Sequence, residues 1–421
     1  MSTRLVLVSL LVLLSACDRR RNVGDANGGA YADKVAEAIP QIEKATGLKF
    51  KAQPKLELRS RAQVREFLLR KFDEATPAAQ LKSEETAFKL FGLIPDTLDL
   101  RKFLLELLTE QIVGYYDPST KVLYVVEGAP DDLTGITITH ELVHALQDQY
   151  VNLDSIQNAK GNSDRQAAAQ AVMEGQATYE QMQIMLGGDN LAARLPGGWD
   201  QLRQTIRESQ SAMPIFGNAP MAIQESLLFP YLSGAEFIRR FEMRRAKASP
   251  LDSLPVSTEQ ILSEAAYFGT PRDAPTEVVL PGKDSTDETM GEFGTRLFLF
   301  QHMKDHTAAT GAAAGWDGDR YRVVQAGGAG GGGRGIVWVT VWDTPTDAAE
   351  FVDAVGQAIG KRYKTSAPSV AASGVRTYSG SGRTVAITPR EISGRNVVVF
   401  VDVPAGASTA VIDVGRISLG S

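Results

Sequence analysis

The sequence predicts an α+β protein, mainly helical over its first two thirds and ending in a module built on an antiparallel sheet. Three observations predict it. Apolar residues recur at helical spacing through segments 31–46, 60–74, 78–91 and 98–110. The period then shortens to two in 111–116 and 121–126, which flank Asp117-Pro118-Ser119-Thr120, a strand–turn–strand pattern. Strand-like runs at 321–325, 336–341, 384–388 and 396–401, with a helical stretch at 346–359 among them, occupy the last third. The chain of 421 residues, 43% hydrophobic and 22% charged, has ordinary globular composition and length enough for two or three domains. Its single Cys excludes an internal disulfide, and a net charge of -6 with no basic footprint argues against nucleic-acid binding.

In chain order, Arg4 precedes an apolar run at 5–14, too short for the roughly 20 residues of a membrane-spanning helix and suited to a secretory signal. Leu14-Ser15-Ala16-Cys17 resembles a bacterial lipoprotein signal, which implies that Cys17 carries a lipid and that the exported chain is anchored to an envelope membrane. The organisation expected is a signal at 1–16, a Gly/Asn-rich tether at 17–30, a main domain at 31–283 and a C-terminal α+β module at 284–421. Short extended pieces are read around 49–51 and 55–58. Past the hairpin, a helix is predicted from 132 or 134 to 150, and a second from Ser163 and Asp164 to about Met185. Two or three further helices run to about Arg245. Ser257-Thr258-Glu259-Gln260 reads as a capping box, a helix is placed at 289–307, and Trp316 to Tyr321 is taken as a turn. The glycine run at 327–335 joins two strands without a Gly-Lys-Ser/Thr, so it is read as a hairpin loop and not a phosphate cradle.

Chemistry concentrates in His140-Glu141-Leu142-Val143-His144. On a helix, residues four apart share a face, so both imidazoles can aim at one point, and Glu141 can reach a water bound there. Strand 122–126 is expected to lie at the sheet edge, where it would hold an extended peptide. The other two histidines, His302 and His306, repeat the spacing on the predicted 289–307 helix without an adjacent Glu, and are read as packed or exposed residues. With no third His near the motif, the remaining ligand choice is a carboxylate. Glu174, between small residues on the next helix, is preferred, with Asp164 and Glu180 in reserve.

The helix resembles that of zincin metallopeptidases, and Glu174 resembles the third ligand of the gluzincin class. That resemblance implies one Zn2+ per chain held by His140, His144 and Glu174, with Glu141 as general base. Where some gluzincins carry an Asp four residues past the ligand Glu, this chain has Thr178, so Asp148 is considered for orienting a ligand His. Tyr115, Tyr116, Tyr179 and Tyr231 stay open as oxyanion donors. Ile138 to Gln149, Gly114-Tyr115-Tyr116-Asp117-Pro118, Phe229 to Gly234, Ser257 to Leu262 and Ala313 to Tyr321 together are similar to a family of exported, little-characterised bacterial and archaeal metallopeptidases. The resemblance implies a zincin-like domain and a membrane-anchored zinc peptidase acting on a peptide or protein substrate. Its alternatives are an envelope lipoprotein that binds a peptide or protein partner without cleaving it, and a metal-dependent hydrolase of other bonds.

Overall fold

The structure, a computed structural model, describes residues 29–75, 77–129, 131–153, 156, 162–185, 187, 198–245, 248–282, 284–327, 332–365 and 367–420. The expected signal segment 1–16, Cys17 and residues 18–28 of the expected tether lie outside the described residues. The fold is α+β. Helices α1 (Gly29–Thr46), α2 (Arg61–Ala75), α3 (Ala78–Phe91) and α4 (Leu100–Gln111) form where apolar residues return at helical spacing. Polar and glycine signals bound them. Gly92 takes the left-handed conformation that closes α3, and Asp99 accepts the Lys102 N–H that opens α4.

β2 (Gly114–Asp117) and β3 (Val122–Val126) pair as an antiparallel hairpin. Asp117 Oδ1 accepts the Ser119 N–H at 3.0 Å, so the turn supplies its own closure. The expectation that 122–126 is an edge strand fails. β1 (Lys55–Arg59) pairs parallel with β3, giving the order β1-β3-β2 and placing β3 in the centre. The reason is visible in Val-Leu-Tyr-Val-Val, apolar on both faces and buried throughout, as a strand covered on all sides must be. β2 is the edge nearest the site. The stretch 49–51 forms no strand.

α5 (Asp131–Gln147) packs on α1, the hairpin and α6 (Ser163–Met185). After α7 (Gly198–Ser211) and α8 (Pro214–Gly217), α9 (Met221–Arg245) lies along α6. A Cβ added at Gly234 would sit 2.0 Å from the Ala171 carbonyl oxygen, and one at Gly175 would sit 2.2 Å from the Gly234 carbonyl carbon. Only paired glycines allow this backbone approach.

α10 (Thr258–Leu262), α11 (Glu264–Phe268) and β4 (Glu277–Val279) lead to α12 (Gly291–Met303) and α13 (His306–Ala313). The single helix expected at 289–307 is thus two. Lys304 enters the left-handed region at φ 60°, and Asp305 restarts the helix by accepting the Ala308 N–H. β5 (Trp316–Ala326), β6 (Gly333–Trp342), α14 (Pro345–Tyr363), β7 (Ser369–Val370), β8 (Arg376–Gly380), β9 (Arg383–Ile392), β10 (Arg395–Pro404) and β11 (Ser418–Gly420) complete the chain. The order β5-β6-β10-β9-β8-β7 is antiparallel throughout, with β4 paired to β11 beside it.

The Trp316 to Tyr321 stretch is strand, not turn. Its acids are buried with partners: Asp319 accepts from Met290 N–H, Gly291 N–H and Trp338 Nε1, while Asp317 accepts from Thr276. Ala326 pairs with Gly333, so the glycine run closes a hairpin, although residues 328–331 lie outside the described residues. Alternate residues divide the sheet. Val337, Val339 and Val341 join one core with Val278, while Trp338 and Trp342 turn to α14, where Trp342 stacks on Phe351. The tryptophan face is continuous with the helical half: Phe91 of α3 meets Phe298, Tyr321 and Trp338 edge-on at 5.5–5.7 Å. The core therefore runs across the expected boundary at 283/284.

Candidate metal centre

His140 and His144 lie one turn apart on α5, with Leu142 and Val143 buried in the core beneath the hairpin. Across from them, α6 carries Glu174, fully buried. Glu174 Oε2 is 3.1 Å from His140 Nε2 and 3.4 Å from His144 Nε2, so two imidazoles and a carboxylate converge on one point. Neither fallback ligand joins them. Asp164 accepts from Thr258 N–H and Oγ1 near the start of α6, and Glu180 faces Glu242.

The outward ring nitrogens explain which nitrogens converge. His140 Nδ1 is 3.0 Å from Gln181 Oε1, and His144 Nδ1 is 2.9 Å from Gln147 Oε1. Each amide oxygen accepts, so each Nδ1–H donates outward and each Nε2 is the nitrogen turned toward Glu174, where it could ligate a metal once free of a proton. Gln147 is fixed in turn, donating through Nε2 to Met173 O and Gln176 Oε1, both at 3.0 Å. That leaves His144 Nε2 and Glu174 Oε1 buried with no hydrogen-bond partner. Two buried polar atoms without partners beside three converging ligand-type side chains fit a metal better than a packed core, because a cation would satisfy both. Without a metal, the carboxylate and the imidazoles offset one another. Burial alone would raise the Glu174 carboxyl, but His144 and His140 hold it down at about 2. Burial would likewise lower His144, yet Glu174, with Glu141 adding to it, lifts it to about 9.

Glu141, 1% exposed, stands beside the centre. Its Oε2 accepts the Tyr116 N–H at 2.7 Å, so the edge strand β2 fixes the carboxylate from the sheet side. Tyr231 on α9 is the proposed oxyanion donor that the structure brings close. Its ring lies 6.2 Å from the His140 ring at an interplanar angle of 27°, and Gly234 one turn later sets how near α9 can come.

The other tyrosines are placed elsewhere. Tyr115 stacks on Phe67 across the sheet, Tyr116 donates its hydroxyl to Asp148, and the Tyr179 hydroxyl accepts from Gln183. Asp148 does not orient a histidine. It sits one residue past Gln147, about 100° round the helix, and accepts from Tyr116 Oη and Lys121 Nζ. Thr178 is buried one turn beyond Glu174, its hydroxyl without a partner. His302 Nε2–H donates to Phe91 O at 2.8 Å, and His306 opens α13 beside Phe300; the two share no helix.

Sequence reasoning missed Gln147 and Gln181. Their spacing was available, since Gln147 lies three residues past His144 and Gln181 seven past Glu174, on the same helical faces. Residues 277–412, from β4 through β10, match a domain of unknown function, DUF8575. No curated protein and no solved structure matches the chain.

Proposed function

We propose that this chain is a zinc-dependent, gluzincin-like peptidase whose metal is held by His140, His144 and Glu174. The supporting observation is the convergence of two Nε2 atoms and a carboxylate, with both Nδ1 atoms engaged by amide oxygens. Bound zinc would supply Lewis acidity, polarising a scissile carbonyl and lowering the pKa of a water beside Glu141. Glu141, oriented by the Tyr116 N–H, then takes that water's proton and passes it to the leaving amine. Tyr231, whose ring lies 6.2 Å from that of His140, is the candidate donor to the developing oxyanion. With β3 central in the sheet, an extended peptide would have to pair with an edge strand instead. The exported, lipid-anchored setting proposed from Cys17 makes envelope peptides or proteins the substrate class. No helix among the described residues is long and apolar enough to cross a membrane.

Burial favours a second reading, a closed zinc centre in an envelope lipoprotein that binds a partner without cleaving it. All three ligands are at most 3% exposed, as in structural sites. Glu141→Gln separates the two. With zinc loaded, cleavage of a peptide library by the wild type and its loss by about 10²–10⁴-fold in the variant supports the peptidase. Equal cleavage in both forms, or none in either, contradicts it.

A further inference from the structure

Three carboxylates outside the zinc centre come together where the helical half meets the sheet. Glu259 is on α10, Asp273 lies between α11 and β4, and Asp343 follows β6; their oxygens lie within 4.8 Å of one another. An acidic cluster alone often only faces water. Here Glu259 is 6% exposed and its carboxylate has no hydrogen bond or ion pair among the described residues. No Lys or Arg among the described residues forms an ion pair with Asp273 or Asp343 either. Behind them Glu292 turns one oxygen to Arg296 and keeps Oε2 buried with no partner.

We infer that Glu259, Asp273 and Asp343 hold a hard divalent cation of the calcium class. The donor set is oxygen only, which selects hard cations, and carboxylates spaced within 4.8 Å match the roughly 2.3–2.6 Å reach of Ca2+ to each ligand. The electrostatics point the same way. Burial, then Glu292, Asp273 and Asp343, push the Glu259 carboxyl up to about 9, and burial, then Asp273, Asp317 and Asp347, push the Asp343 carboxyl up to about 6 against the opposing charge of Arg395. A divalent cation discharges that repulsion and leaves all three carboxylates ionised.

The position gives the ion a consequence. Thr258, the residue before Glu259, donates its N–H and hydroxyl to Asp164 at the start of the zinc-bearing helix α6. Asp343 leads from β6 into α14. A cation joining these carboxylates clamps the C-terminal module to the helix that presents Glu174, which assigns the module a positioning role.

The test uses the full chain, stripped of metal, reloaded with zinc and titrated with Ca2+ alone while heat and thermal unfolding are followed. Saturable binding with a dissociation constant of about 10⁻⁵–10⁻³ M and a raised Tm is expected. Glu259→Gln and the exposed Asp343→Asn, which removes no core contact, should each weaken binding at least about tenfold. His140→Ala should keep the calcium response, so failure of the zinc reading leaves this one standing. No binding up to about 10 mM Ca2+, unchanged binding in both variants, or loss of the response in His140→Ala would overturn the assignment.

Discussion

Gln147→Ala isolates the contribution of the amide that orients His144. The wild-type side chain makes three hydrogen bonds, accepting from His144 Nδ1 at 2.9 Å and donating to Met173 O and Gln176 Oε1 at 3.0 Å, all buried. Truncation leaves the ring free to turn its Nε2 away from Glu174. Losing such an orienting bond typically costs 10–100-fold in metal affinity, about 1.4–2.8 kcal/mol. It also strands a buried ring N–H and a carbonyl, each at about 1–3 kcal/mol of folding stability. Gln147→Glu separates the two effects. Its carboxylate again accepts from Nδ1–H, so zinc affinity should return to wild type or exceed it. It has no N–H for Met173 O or Gln176, so the stability loss should persist. Zinc affinity by competition with a chromophoric chelator, and stability by urea unfolding of the metal-free chain, read the two quantities. An orienting role for Gln147 is refuted if Gln147→Ala binds zinc within about twofold of wild type, or if Gln147→Glu is no better than Gln147→Ala.

Gly234→Ala forces a methyl to 2.0 Å from Ala171 O, so α9 and α6 must part by roughly 1 Å, at about 1–3 kcal/mol or more in urea unfolding. Zinc affinity should fall with it, because Glu174 and Tyr231 ride on the separated helices; wild-type stability would contradict the packing argument. Tyr231→Phe should lower kcat by about 10²-fold with zinc content and KM nearly unchanged, and an unaltered kcat moves the oxyanion donor elsewhere. His302 supplies a pH test away from the zinc. Burial, with Arg362 and Lys304 nearby, depresses it from 6.5 to about 4, so the unfolded chain binds its proton first as pH falls. The stability it contributes is present above pH 6.5 and is lost progressively down to about pH 4, a total of about 3 kcal/mol. His302→Gln should flatten the stability profile across that window, and profiles of equal slope would show that His302 is not depressed.

The three converging residues were legible because the chemistry they could carry is tied to spacing. His140 and His144 share a face by helical geometry, and Glu174 stood out among small residues that permit close helix packing, which Gly175 against Gly234 bears out. The amides around them were not legible. A Gln at helical spacing carries no mark separating a histidine's partner from a solvated side chain, and Gln147 differs from the rejected Asp148 by one step round the helix. β3 was misplaced at the edge because its second partner, β1, lies 67 residues earlier, beyond any local pattern. Trp316 to Tyr321 passed for a turn because Asp317, Gly318 and Asp319 are turn formers by composition. Their carboxylates are buried against donors from residues 276, 290, 291 and 338, a tertiary arrangement no local pattern reports. Lys304 in a left-handed conformation separated His302 from His306 without any glycine to announce it.

The most direct measurement is metal content of the purified chain after zinc loading and exhaustive dialysis, compared with His140→Ala, His144→Ala and Glu174→Ala that remain folded by circular dichroism. One equivalent of zinc in the wild type and its loss in each variant is the predicted result. A wild-type chain that retains no zinc, or variants that retain a full equivalent, would contradict a centre built from these three residues.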